Sequence, residues 1–178
     1  MNHKVIDNFM DEEYFDSLLT LFTDKGSPGY NHDLPWFFQG FKPETRVGKM
    51  FYMQHMFYDG NVPFSPHYEK MIPLLKKLNS VCLIRIKANF YPNTETIIEH
   101  PMHIDFDYCH AGAIFSLNTC DGYTKLKDGT KIDSVANRIL LFDPTEEHCS
   151  TTTTNVPARI NINFNYINEE QSNWINKK

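Results

Sequence analysis

The chain has 178 residues, enough for one full hydrophobic core and too few for two. Its 41% apolar and 14% aromatic content is that of an ordinary globular protein, and no stretch approaches the roughly 18 uninterrupted apolar residues of a membrane-spanning helix. A formal charge of −5 with no cluster of Lys or Arg counts against nonspecific binding to nucleic acid and suits a small-molecule, peptide or protein substrate better.

The opening "MNHKVIDNFMDEEYF" places acids where a secretory signal would need an apolar run, so a soluble, cytoplasmic protein with no membrane partner is expected. The first predicted element is a helix over 11–23, where Tyr14, Leu18, Leu21 and Phe22 fall at helical spacing and acids crowd the first turn. Residues 24–66 are rich in Gly, Pro and aromatics without clear periodicity and read as irregular, a packed loop or a substrate wall. A second helix is predicted over 66–79, with Tyr68, Met71, Ile72, Leu75 and Leu78 as its apolar stripe.

The period then changes. In "VCLIRIKANFYP" Cys82, Ile84, Ile86, Ala88 and Phe90 alternate with Arg85, Lys87, Asn89 and Tyr91, predicting a strand with one apolar and one polar face. Short strands follow at "AGAIFSLN", "GYTKL", "KIDSV", "RILLF" and "ARININFNYI", separated by turn signals such as Asp121-Gly122 and Asp128-Gly129. Helices first and strands afterwards predict a mainly β sandwich or jelly roll with the helices packed outside. Cys82, Cys109, Cys120 and Cys149 show no zinc-ribbon spacing and read as buried thiols.

The chemistry concentrates in "HPMHIDFDYCH", residues 100–110. A strand at "MHID" would send His103 and Asp105 to one face, since side chains two apart project together. His148, just after "RILLF", is the candidate third ligand. Two imidazoles and a carboxylate on one face of an octahedron leave three positions open, the arrangement of nonheme Fe(II) oxygenases. His100, three residues before His103, falls on the opposite face of such a strand and reads, like His110, as a supporting residue. Asp107 reads as a solvated loop acid, and Arg138 as an exposed or paired cation.

Arg159 follows His148 by eleven residues and shares a face of its strand with Asn161, Asn163 and Asn165, while Ile160, Ile162, Phe164 and Tyr166 share the other. A dicarboxylate pocket explains a wholly polar face, because guanidinium grips a carboxylate with paired hydrogen bonds.

HxD, a distal His and an Arg about ten residues later resemble the Fe(II)/2-oxoglutarate-dependent dioxygenases. "LNTCDGYTKL" and "ANRILLF" look like strands of the prolyl 4-hydroxylase-like branch, in compact bacterial or phage form. The resemblance implies one dioxygenase domain over 1–178. In it a double-stranded β-helix (jelly roll, cupin-like) over 81–168 has N-terminal helices from the helical and loop region 1–80 packed on its major sheet. It implies Fe(II) on His103, Asp105 and His148, 2-oxoglutarate anchored by Arg159, and ascorbate as an accessory reductant. "NFY" resembles the Asn-x-Tyr that some branches use to hold 2-oxoglutarate, which adds Asn89 and Tyr91 to the cosubstrate residues, with Asn161 where a serine is common. Asp105 stands where related halogenating enzymes have a small residue, which argues against halogenation. The implied reaction is hydroxylation of a protein side chain, amino acid or other small molecule, with release of succinate and carbon dioxide, in the host cytosol if phage-encoded. The alternatives are a nonenzymic cupin-like metal-binding protein and a nucleic-acid base demethylase.

Overall fold

The protein is described by a computed structural model covering residues 3–23, 34–40 and 50–169. In chain order its elements are β1 (His3–Ile6), α1 (Glu12–Phe22), β2 (Phe37–Gly40), β3 (Phe51–Asp59), β4 (Val62–Pro63) and a 3-10 turn Tyr68–Met71 running into α2 (Ile72–Lys77). Then come β5 (Ser80–Pro92), β6 (Ala111–Ser116), β7 (Tyr123–Leu126), β8 (Lys131–Asp133), β9 (Arg138–Phe142), β10 (His148–Ser150) and β11 (Ala158–Asn168).

Asp11 caps α1 by accepting a 2.8 Å hydrogen bond from the Tyr14 amide, and Glu12 and Glu13 complement the positive end of the helix dipole. The second predicted helix is broken into a 3-10 turn and a short α2 because Pro73 lies in the first turn of α2 and supplies no amide hydrogen. Leu74, outside the predicted stripe, is buried there with Met71.

Eight strands form the major sheet in the order β1-β9-β6-β11-β5-β3-β2, with β4 paired to β3; β10-β7-β8 form a second, smaller sheet. All pairings between the named strands are antiparallel. One face of the major sheet carries Ile86, Ala88, Phe115, Ile162 and Phe164, which pack with Phe15, Leu18, Leu21, Met71 and Leu74 of the helical segments. Burial of this apolar area is the main stabilising term of the fold, at roughly 25 cal/mol per Å². The inner face holds a smaller apolar cluster of Ile114, Leu126, Ile132, Leu140 and Phe142. Beside that cluster lies the polar face of β5 and β11.

Three expectations change. Residues 1–80 contribute more than helix and loop: β1 joins one edge of the major sheet, and β2, β3 and β4 extend the other. The stretch 24–66, read as irregular, holds β3 within its described part. Both faces of β3 carry large side chains, so no alternation marks it, while its tertiary context buries His55 and Phe57. Finally, the pairing of β5 with β11 shifts between Asn165 and Tyr166, which pass from Arg85 to Leu83. This bulge turns Leu83 toward the core, where Cys82 was expected, and leaves Cys82 exposed. Cys109 is exposed as well, whereas Cys120 and Cys149 are buried as expected.

Candidate metal centre

His103, Asp105 and His148 converge, each offering one donor atom, with the three atoms within 4.8 Å of one another. His148 opens β10, but the segment of His103 and Asp105 is not a strand. It is pinned at separate points: a two-residue bridge joins His103 to His148, and the Asp105 amide donates to the Pro144 carbonyl at 3.0 Å. The shared orientation of His103 and Asp105 thus comes from anchoring to the chain around His148, rather than from strand alternation.

Each imidazole is oriented through Nδ1. His148 Nδ1 lies 3.0 Å from the Glu146 carbonyl oxygen and His103 Nδ1 lies 3.2 Å from that of Pro101. Donation from Nδ1 leaves Nε2 with its lone pair toward the centre, as metal-ligating histidines require. Burial lowers the His148 pKa, against the opposing hydrogen bond to Glu146, and so favours the neutral ligand form.

Asp105 has a side chain only 2% exposed. Burial alone would raise its pKa, but the Lys87 and Arg85 cations and a hydrogen bond from Asn165 outweigh it and hold the carboxyl well below the usual carboxylate range. Arg85 Nη2 donates to Oδ1 at 2.8 Å, while Asn165 and Asn163 donate to Oδ2 at 2.9 and 3.3 Å. Asn165 also accepts from Arg85 at 3.0 Å and lies 3.2 Å from His110 Nε2, so His110 stands behind the carboxylate. Two asparagines of β11 that were read as part of a dicarboxylate pocket therefore hold Asp105. Two imidazole nitrogens and an ionised carboxylate suit a divalent first-row metal, so the residues present fit the implied ion.

The donors open on a cavity of about 240 Å³ whose wall includes Lys87, Asn89, Tyr91, His100, Asn161 and Tyr52. Asn89 donates to Asn161 at 3.0 Å across the β5–β11 pair, leaving Asn161 Nδ2 and Asn89 Oδ1 buried without hydrogen-bond partners. Arg159 is not on the wall itself. Its guanidinium carbon lies 5.4 Å from the ring centroid of Tyr91, which is. Arg159 is 1% exposed and donates to Thr124 Oγ1 at 2.9 Å and to the Thr151 carbonyl at 3.4 Å, with Nε unpartnered and no carboxylate paired to it among the described residues. Burial pushes its pKa down and raises that of Tyr91 to about 12. A fully buried cation without an anion is costly, and buried polar atoms without partners are rare in native proteins.

His100 is buried beside Tyr52 and Tyr91 and is not one of the three converging donors. Asp107 is exposed, and Arg138 forms a paired contact with Asp7 at 2.5 and 3.0 Å. Sequence reasoning assigned no role to Lys87, although alternation had placed it on the polar face. It missed Tyr52 because β3 was not recognised as a strand.

No protein-family model and no curated protein matches the sequence. Solved structures do. An oxidoreductase of the 2OG-Fe(II) oxygenase family from Burkholderia pseudomallei superposes with a TM-score of 0.66 at 14% identity, covering 93% of this chain and 84% of that one. A prolyl hydroxylase from Trichoplax adhaerens, in complex with a hypoxia inducible factor oxygen degradation domain peptide, gives 0.63 at 16% identity, over 97% and 86%. The viral collagen prolyl hydroxylase of Paramecium Bursaria Chlorella virus-1, solved with 2OG, gives 0.57 at 13% identity, over 93% and 95%. The fold is that of the 2OG-Fe(II) oxygenases. The double-stranded β-helix and the prolyl hydroxylase-like architecture expected from the sequence are both present.

Proposed function

We propose that this protein is an Fe(II)- and 2-oxoglutarate-dependent oxygenase that hydroxylates an amino acid, a peptide or protein side chain, or another small molecule. One observation carries the reading: a His-His-Asp donor set is tied through Asp105 to the polar β5–β11 face, which also bears a fully buried guanidinium that has no carboxylate partner among the described residues.

His103, Asp105 and His148 would hold the iron. When bound, iron with 2-oxoglutarate supplies oxidising power from dioxygen, releasing succinate and carbon dioxide. The protein's own groups do the rest. Carbonyls of Pro101 and Glu146 fix the two imidazole rings, and Arg85 with Asn163 and Asn165 keeps Asp105 ionised and aimed. Arg159 would take the far carboxylate of 2-oxoglutarate, its unpartnered Nε being a donor in reserve, while Asn161, Asn89 and Tyr91 line the cosubstrate's path.

Anaerobic titration of the Fe(II)-loaded protein with 2-oxoglutarate tests this. A visible charge-transfer band that vanishes in His103→Ala is the expected result. Iron bound with no band would favour a metal-binding jelly roll without oxygenase chemistry.

A further inference from the structure

Lys87 is a cation on the cavity wall whose charge helps keep Asp105 ionised but which makes no hydrogen bond or ion pair with it. It lies on β5 between Arg85 and Asn89, opposite Asn163 of β11 and Met56 of β3. It forms no hydrogen bond or ion pair with any described residue. Among the described residues Asp105 is the sole acid on the wall, and its oxygens already receive Arg85, Asn163 and Asn165.

A dianionic cosubstrate does not use Lys87 up. One of its carboxylates goes to the metal and the other to Arg159 in the proposed arrangement. Tyr91, the cross-strand partner of Arg159, is four residues from Lys87, about 13 Å along a strand. The two cations thus start from backbone positions further apart than a five-carbon dicarboxylate spans, and in the proposed arrangement Arg159 alone takes the far carboxylate. With metal, Asp105 and cosubstrate all present, the cavity still carries an excess of positive charge, in a space smaller than the roughly 300–1,000 Å³ of most ligand pockets. Burial and the neighbouring Arg85 bring the Lys87 pKa down to about 8, which leaves it mainly charged at neutral pH.

We infer that Lys87 binds a free carboxylate carried by the primary substrate, which places that substrate among small carboxylic acids such as free α-amino acids. The inference rests on the proposed oxygenase function and narrows its substrate class. Inside a protein chain the α-carboxylate is tied up in a peptide bond, so only an Asp or Glu side chain or the C-terminus could offer one.

The test uses the Zn(II)-loaded protein saturated with 2-oxoglutarate, titrated calorimetrically with each free amino acid and with the matching carboxamide. At least one acid is expected to bind tenfold or more tightly than its amide. Lys87→Met should erase that preference while changing 2-oxoglutarate affinity less than threefold, and Lys87→Arg should keep it. No preference of the wild-type protein for any acid over its amide overturns the inference. So does a Lys87→Met variant that loses 2-oxoglutarate as strongly as the amino acid, since Lys87 would then be a cosubstrate ligand. Failure of 2-oxoglutarate itself to bind the metal-loaded wild-type protein strikes the oxygenase reading, and this inference with it.

Discussion

His103 and His148 exchange two backbone hydrogen bonds, 3.0 Å from the His103 amide and 2.9 Å from the His148 amide. This bridge brings their rings to a centroid separation of 4.7 Å, although the residues lie on distant segments of the chain. The metal site is therefore as stable as the pairing of an irregular segment with the start of β10. Bound metal should tighten that pairing, because an ion that binds only the native state stabilises it by mass action.

Removing a ligand and removing the buried cation should separate two roles. His148→Ala is expected to abolish Fe(II) binding. Arg159→Ala should leave Fe(II) affinity within about threefold and raise the 2-oxoglutarate concentration needed for half-saturation at least tenfold, the scale of a lost charge-assisted contact. Calorimetry with each ligand reads both numbers, and equal iron loss in the two variants would sink the assignment.

Arg85→Met should weaken metal binding without touching a ligand. The variant loses the 2.8 Å contact that orients Asp105 and one of the cations that keep it ionised. Losing such an outer partner of a ligating carboxylate typically costs about 10–100-fold in metal affinity. Co(II) titration followed by its visible absorption measures the change, and unaltered affinity would show that the asparagines suffice.

Gly122 is held against Arg159. A Cβ at this position would lie 2.7 Å from Arg159 Cδ and 2.6 Å from the Thr152 carbonyl oxygen. Gly122→Ala should push the guanidinium from its seat, destabilise the fold by about 1–3 kcal/mol as overpacking does, and reduce 2-oxoglutarate affinity more than Fe(II) affinity. Thermal melting together with the two titrations decides it.

His100 gives the apoprotein an acid sensitivity above the carboxylate range. Burial first, then the Arg159 and His103 charges, lower its pKa to about 4. The unfolded chain, with an ordinary histidine pKa of about 6.5, binds the proton more readily than the folded one. The stability this group contributes is present above about pH 6.5 and is lost as pH falls toward 4, by up to about 3 kcal/mol. Urea unfolding of wild-type and His100→Gln protein between pH 7 and 4 should show a flatter profile for the variant.

The alternation of β5 and β11 is legible from the chain alone because it is local. A strand with one face on apolar helices and one on a polar cavity must write that difference at every second residue. The same reasoning finds the chemical identities of the metal ligands, since only certain side chains bind a divalent ion. Tertiary structure decides what depends on distant partners. It recruits β1 and β3 to the sheet, although β3 is covered on both faces and shows no period. It turns Leu83 inward through a bulge, and it replaces an expected strand at His103 with a bridge to His148. It assigns Asn163 and Asn165 to Asp105 and leaves Lys87 and Arg159 without carboxylate partners among the described residues. A residue's type sets which bonds it can make, but its partner is set by chain segments whose spacing no local pattern records.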